Sequence, residues 1–272
     1  MKKIEIDEIK KEFQEETAKV VATANKILHT EMLNKYTFNL ILRVVIFIAV
    51  FVLYLTNKEL MGQFIKFDIL RKQNLPYVVS PIHILWLYLM VVMITHIFPS
   101  KKDSMAMNKA MNIGFTEKKD YSRLGLLEYV QQQNARVWIV MLIWLSFNAV
   151  FGALYLFKVI DEIDLVMLSV FYFLSDYICI LLYCPFQTHI MKNKCCVNCR
   201  IYDWGHFMMF TPMLFIKDFF SWSLFFTSLV VLIRWEIYYA KYPERFWEGS
   251  NENLKCANCD EKLCQFKKRL KR

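Results

Sequence analysis

The chain has 272 residues, 56% hydrophobic and 16% aromatic, with 6 Gly, 6 Pro and a net charge of +9 from 34 Lys and Arg against 25 Asp and Glu. Apolar residues gathered into long runs at this composition indicate a helical membrane protein rather than a soluble domain. The basic excess lies beside those runs, where the positive-inside rule and anionic head groups account for it without nucleic acid.

Residues 1–37 read as a cytoplasmic amphipathic helix, with Phe13, Thr17, Val20, Ala24 and Ile27 on one face. No signal peptide precedes the first apolar run, and no Gly-rich phosphate loop or internal repeat is found. A membrane domain is expected over 38–239. Its first span is 38–56, where Arg43 is expected to snorkel to the interface as an anchor. An amphipathic stretch at 60–70, followed by Pro76 and Pro81, is expected to rest on the surface. The second span, 82–98, holds His83 and His96, which at 13 residues apart are separated by about 20 Å and cannot share a ligand. Both are expected to be interfacial polar residues.

A polar stretch from 100 leads to a helix at 117–133 that continues into the third span, 137–157, where Asn148 is placed to bond a neighbouring helix. The acidic link 161–164 is so short that the fourth span, 165–183, must be an antiparallel neighbour of the third. Asp176 sits inside that fourth span. A carboxylate at such depth costs about 2.5 to 3.5 kcal/mol, so it is expected to face the bundle interior. It serves there either as a cation or proton site or as a structural bond to Tyr177, Asn148 or water.

A cysteine-bearing loop, 185–206, comes next, and the apolar stretch 207–233 is interrupted by Lys217-Asp218. If that stretch crosses once, the cysteines before and after it lie on opposite sides; if it doubles back, they share one. Doubling back puts 27 Lys and Arg on one side against 5, whereas a single crossing gives 17 against 15. The positive-inside rule selects the first arrangement, with both termini and both cysteine clusters cytoplasmic. The fold expected is therefore all-α and polytopic, with five to six membrane segments, the last two a hairpin or re-entrant pair. The ten residues 207–216 cover only about 15 Å of helix, so the segment either begins near Ile201 or re-enters shielded by protein, with Thr211-Pro212 a kink or break.

Six of the eight cysteines flank that hairpin, as Cys195-Cys196-Val197-Asn198-Cys199 and as Cys256-Ala257-Asn258-Cys259 with Cys264 behind. A cytoplasmic setting favours metal over disulfides for paired Cys-x-x-Cys. Zinc on Cys196, Cys199, Cys256 and Cys259 would clamp the basic tail, 240–272, to the loop. Cys195, Cys264 and His206 are additional candidate ligands, and an iron-sulfur cluster or a dithiol is the alternative. The knuckles resemble zinc-ribbon and rubredoxin-like sites over a few residues at each end. Arg200 and Asp260 stand where rubredoxin-type sites carry glycine, which disfavours the redox variant. No nucleophile, base and orienter constellation can be assembled, so catalysis is left open. The functions expected are a membrane scaffold or small carrier with a structural zinc clamp, or a redox protein using the same cysteines. The partners expected are the lipid bilayer and a cytoplasmic protein or a second copy of the chain.

Overall fold

The computed structural model describes residues 31–66, 81–98, 106, 110, 115–118, 120–193, 195 and 198–255. The described chain is helical, with α1 at Glu31–Thr56, α2 at Lys58–Lys66, α3 at Pro81–Ile97, α4 at Arg123–Leu156, α5 at Glu162–Leu181, α6 at Gly205–Phe210 and α7 at Phe219–Lys241. Four of these, α1, α4, α5 and α7, are long and apolar enough to cross a membrane, and α3 is a shorter apolar helix. Large apolar side chains such as Ile41, Ile48, Leu87, Leu142 and Phe226 stay exposed along them. An apolar surface of that extent suits lipid and would be a liability in water.

Helix ends follow local chemistry. Ser122 caps α4 by accepting from Gly125 N at 3.1 Å, so the helix starts at Arg123. Glu117, expected to be helical, instead bridges to Asn251. The expected acidic link is the first turn of α5, where Asp161 and Asp164 form a reciprocal capping box. Lys58, just past α1, reaches both carboxylates, at 3.0 and 2.8 Å. Its hydrogen bond to Asp164 is the main reason the ammonium holds its proton above the ordinary lysine range.

Pairings along the helices set their directions. Tyr36 stacks on Tyr177, Phe47 meets Phe171, and Tyr54 donates to Asp164, so α1 and α5 are antiparallel along their lengths. His83 meets Phe220, Trp86 donates to Ser223, and Arg234 donates to the His96 carbonyl, so α3 and α7 run parallel.

The segment after the cysteine loop is wound continuously but unevenly, as a 3-10 helix at Arg200–Trp204, then α6, then a second 3-10 helix at Thr211–Phe215. It runs alongside α4, with Arg200 bonded to Asn134 at one end and Phe215 against Gly152 at the other. Those two points of α4 are about 27 Å apart, close to the thickness of a hydrocarbon core. The helical run thus begins at Arg200, and its 3-10 turns, rising about 2.0 Å per residue, give it the reach that ten α-helical residues lack. Pro212 has no N–H to continue the α ladder, and Thr211 donates back to the Phe207 carbonyl at 2.8 Å where the winding tightens. Lys217 and Asp218 make the turn, with Asp218 capping α7 through Phe220 N.

This segment is buried between α4, α5 and α7, with Trp204, Phe207, Met209, Phe210 and Met213 in the core. It wedges α4 and α5 apart. The two helices still touch through Trp144 and Tyr172, whose ring centroids are 4.6 Å apart, but α5 lays its length on α1 rather than on α4.

Gly152 is where the wedge needs space, because any Cβ there would overlap the Phe215 ring. Gly152→Ala is expected to lower stability by about 1–3 kcal/mol. Combining it with Phe215→Leu should cost less than the sum of the two single changes, as measured by thermal unfolding in detergent.

Candidate functional site

The polar groups of the membrane domain converge at one place. Arg43, from the middle of α1, turns into the bundle; its side chain is 14% exposed and forms an ion pair with Asp176 of α5 at 3.0 Å. The same nitrogen donates to the Phe173 carbonyl. The guanidinium is held between the rings of Phe173 and Tyr177, at 4.0 and 3.9 Å. Asp176 is thus partnered by an arginine on another helix rather than by Tyr177 or Asn148. The arrangement satisfies both charges and offers the cation two aromatic faces.

Asn39, one turn earlier on α1, donates to the Tyr177 hydroxyl at 3.0 Å. Tyr36 and Tyr202 share a hydrogen bond of 2.7 Å. Asn148 lies elsewhere: it donates to the Trp144 carbonyl at 3.0 Å and accepts from Tyr172 at 3.3 Å.

The first turns after the cysteine loop bring a second carboxylate to the same place. Asp203 is 4% exposed, and one of its oxygens lies 3.0 Å from His96 Nδ1 at the end of α3. His206, one helical turn on, sets its ring edge-on to His96 with centroids 4.7 Å apart. Tyr36, Arg43, His96, Asp176, Asp203 and His206 all line one cavity of about 90 Å³. Two atoms of these residues, Asp203 Oδ2 and His206 Nδ1, are buried with no hydrogen-bond partner among the described residues. A buried polar atom without a partner costs about 1–3 kcal/mol, a cost that a group bound in the adjoining cavity would offset.

Gly205 lies against Asp176, and a Cβ there would overlap Asp176 Oδ1. The close approach of backbone to carboxylate therefore requires glycine at this position. Sequence reasoning found Asp176 but missed its companions. Asp203 and His206 were readable as a pair spaced one helical turn apart, but nothing local links them to His96 or Arg43.

The cysteine sites are described only in part. Of the four expected zinc ligands, Cys199 is among the described residues, and Cys196, Cys256 and Cys259 lie outside them, as does Cys264. Among the described residues no group of three or more His, Cys, Asp or Glu is arranged to hold a metal ion. Cys195 and Cys199 are both buried, and His206 faces the polar cavity. Beside Cys199, the Asn198 side chain donates to Glu248 at 2.9 Å and to the Leu254 carbonyl at 3.0 Å. The chain two residues short of Cys256 is thereby held against the cysteine loop. Arg200 is itself an anchor, bonded to Asn134 and Glu236 and lying 4.0 Å over Tyr239.

No protein-family model, curated protein or solved structure matches the chain.

The Arg43–Asp176 pair is expected to show the asymmetry of a buried ion pair. Arg43→Met alone strands a carboxylate and should lower stability by about 3 kcal/mol. The double variant Arg43→Met, Asp176→Leu should recover most of that loss in the same thermal unfolding measurement. Equal losses in single and double variants would show that packing rather than charge pairing holds α1 to α5.

Proposed function

We propose that the protein is a multi-pass membrane carrier whose site is the cavity between Arg43, Asp176, His96, Asp203 and His206, and whose translocated species is a proton or a small solute moving with one. The observation that carries this reading is one cavity lined by Arg43, His96, Asp176, Asp203 and His206, with an Asp203 oxygen that has no hydrogen-bond partner among the described residues. Ionisable side chains at membrane depth are expensive, and they mark ion and proton pathways when they line a cavity instead of pairing off completely. Imidazole beside carboxylate is the pairing best suited to exchanging a proton near neutral pH.

The sidedness follows from charge. Both termini and both cysteine clusters are cytoplasmic, because only then do the Lys and Arg obey the positive-inside rule. The run from Arg200 to Phe215 counts as a membrane segment enclosed by protein, giving six segments with α3 included. It forms the last hairpin with α7. Such an enclosed, unevenly wound segment lining a polar cavity is the setting in which irregular backbone is tolerated at depth.

A structural zinc ion on Cys196, Cys199, Cys256 and Cys259 clamps the carboxyl tail to the loop. The hydrogen bonds from Asn198 to Glu248 and to the Leu254 carbonyl support this, since they hold the approach to the second cysteine pair beside the first. A closed thiolate site would fasten a loop-rich region that has little core of its own.

Two measurements test these statements separately. Elemental analysis of the purified protein should find one zinc per chain, lost in Cys256→Ser; a brown protein bleached by dithionite would replace the clamp with the redox alternative. In proteoliposomes holding a pH-sensitive dye, Asp203→Asn should abolish imposed proton movement while keeping the wild-type melting temperature within a few degrees, and Asp176→Asn should abolish it with a lowered melting temperature, because it also leaves Arg43 unpaired. Proton movement at the wild-type rate in both variants would end the carrier reading.

A further inference from the structure

A larger cavity opens beside the polar one. It measures about 370 Å³ and is walled mainly by apolar side chains of α4, α5 and the segment after the cysteine loop, among them Trp144, Phe171, Phe186 and Met208. Its volume falls in the range of sites that hold small organic ligands, about 300 to 1,000 Å³. Phe171 is 51% exposed and Tyr183 is 41% exposed, so the cavity is open toward the outside of the bundle where α5 is bare. In a bilayer that opening faces acyl chains.

The two cavities share Asp176, Ile180, Tyr202 and Gly205 in their walls. An apolar pocket and a small polar one thus adjoin, with the Asp176 carboxylate against the Gly205 backbone in the wall between them. The polar end is selective in what it can receive. Arg43 is bonded to Asp176 and to the Phe173 carbonyl and is covered on both faces by aromatic rings, so its charge is already engaged and does not invite an anion. The Asp203 oxygen without a partner is an acceptor waiting for a donor. A volume of about 90 Å³ corresponds to roughly three waters at about 30 Å³ each, which admits an amine or a hydroxyl but not a phosphate-bearing head.

We propose that the paired cavities bind a single-chain amphiphile entering from the lipid, its apolar chain lying in the larger cavity and its small donor-bearing head, an amine or a hydroxyl, held by Asp203 and Asp176. This rests on the carrier reading and names its substrate class. With no side chain at Gly205, the Asp176 carboxylate lies against its backbone and stands between the two cavities, and the head reaches the polar end as that carboxylate turns to it.

The test uses the full chain in nanodiscs and a long-chain alkylamine carrying a diazirine at mid-chain, with cross-linked peptides mapped by mass spectrometry. Labelling is expected on α5 residues and on the segment around Met208. It should be competed by unlabelled long-chain amine or alcohol but not by the fatty acid of equal length. Asp203→Asn is expected to weaken competition by the amine about tenfold or more, the loss of one charge-assisted hydrogen bond. Ser175→Trp, which fills the larger cavity from its wall and leaves the polar end alone, should reduce labelling even if Asp203→Asn folds poorly. Competition by amine greater than by alcohol assigns the head as a cation, and the reverse order assigns it as a hydroxyl. Labelling spread evenly over the lipid-facing helices, unaffected by competitor and by Ser175→Trp, would overturn the proposal, as would competition by the fatty acid alone. Specific labelling in a protein that moves no protons would keep this site and remove the carrier reading; proton movement without specific labelling would do the opposite.

Discussion

Backbone that is not regular α-helix leaves peptide groups short of partners, and lipid supplies none. The run from Arg200 to Phe215, which changes winding twice, would be subject to that constraint as the membrane segment proposed above. It is met by enclosure. Trp144 donates to the Thr211 hydroxyl, Trp235 to the Arg200 carbonyl and Trp204 to Glu236, so indole N–H groups from neighbouring turns fasten the segment while their rings exclude lipid. The spreading of α4 from α5 and the close approaches at Gly152 and Gly205 follow from giving this one segment a place inside the bundle.

The polar centre follows from the same placement. A carboxylate such as Asp203, at the foot of an enclosed segment, cannot turn outward to lipid and must meet whatever the surrounding helices present. What they present is the end of α3 with His96 and the inner face of α5 with Asp176. Arg43 then neutralises Asp176 from α1 and ties that otherwise lipid-exposed helix to the bundle. Removing one charge alone would strand the other inside the bundle, and it is this stranding, not the loss of the pair as a whole, that is costly for a buried ion pair.

Much of the architecture was legible from residue patterns because membrane spans obey a simple rule of length and hydropathy. The apolar runs around 38–56, 137–157 and 165–183 correspond to α1, α4 and α5 to within a few residues, apart from the polar extension that begins α4 at Arg123. Lys217-Asp218 was recognisable as a turn, and Thr211-Pro212 as a change of winding, because a charged pair and a proline each disallow continuation of an apolar α-helix. Arg43 was read as an interfacial anchor because no partner stands near it in the sequence, and its partner, Asp176, is on another helix. His96 was read as interfacial for want of a visible partner, and its partners lie more than a hundred residues away.

Hydropathy, charge asymmetry and cysteine spacing are local quantities, and they suffice to identify an all-helical chain with helices apolar enough to span a membrane and to nominate a sidedness and a set of thiolates. Which polar side chains meet is a different kind of quantity. Arg43 and Asp176 are 133 residues apart, His96 and Asp203 107, and no periodicity in one helix encodes the face that another will turn toward it. That choice belongs to packing, because side chains at depth have no water to fall back on and each must find its partner on whichever helix the bundle brings alongside.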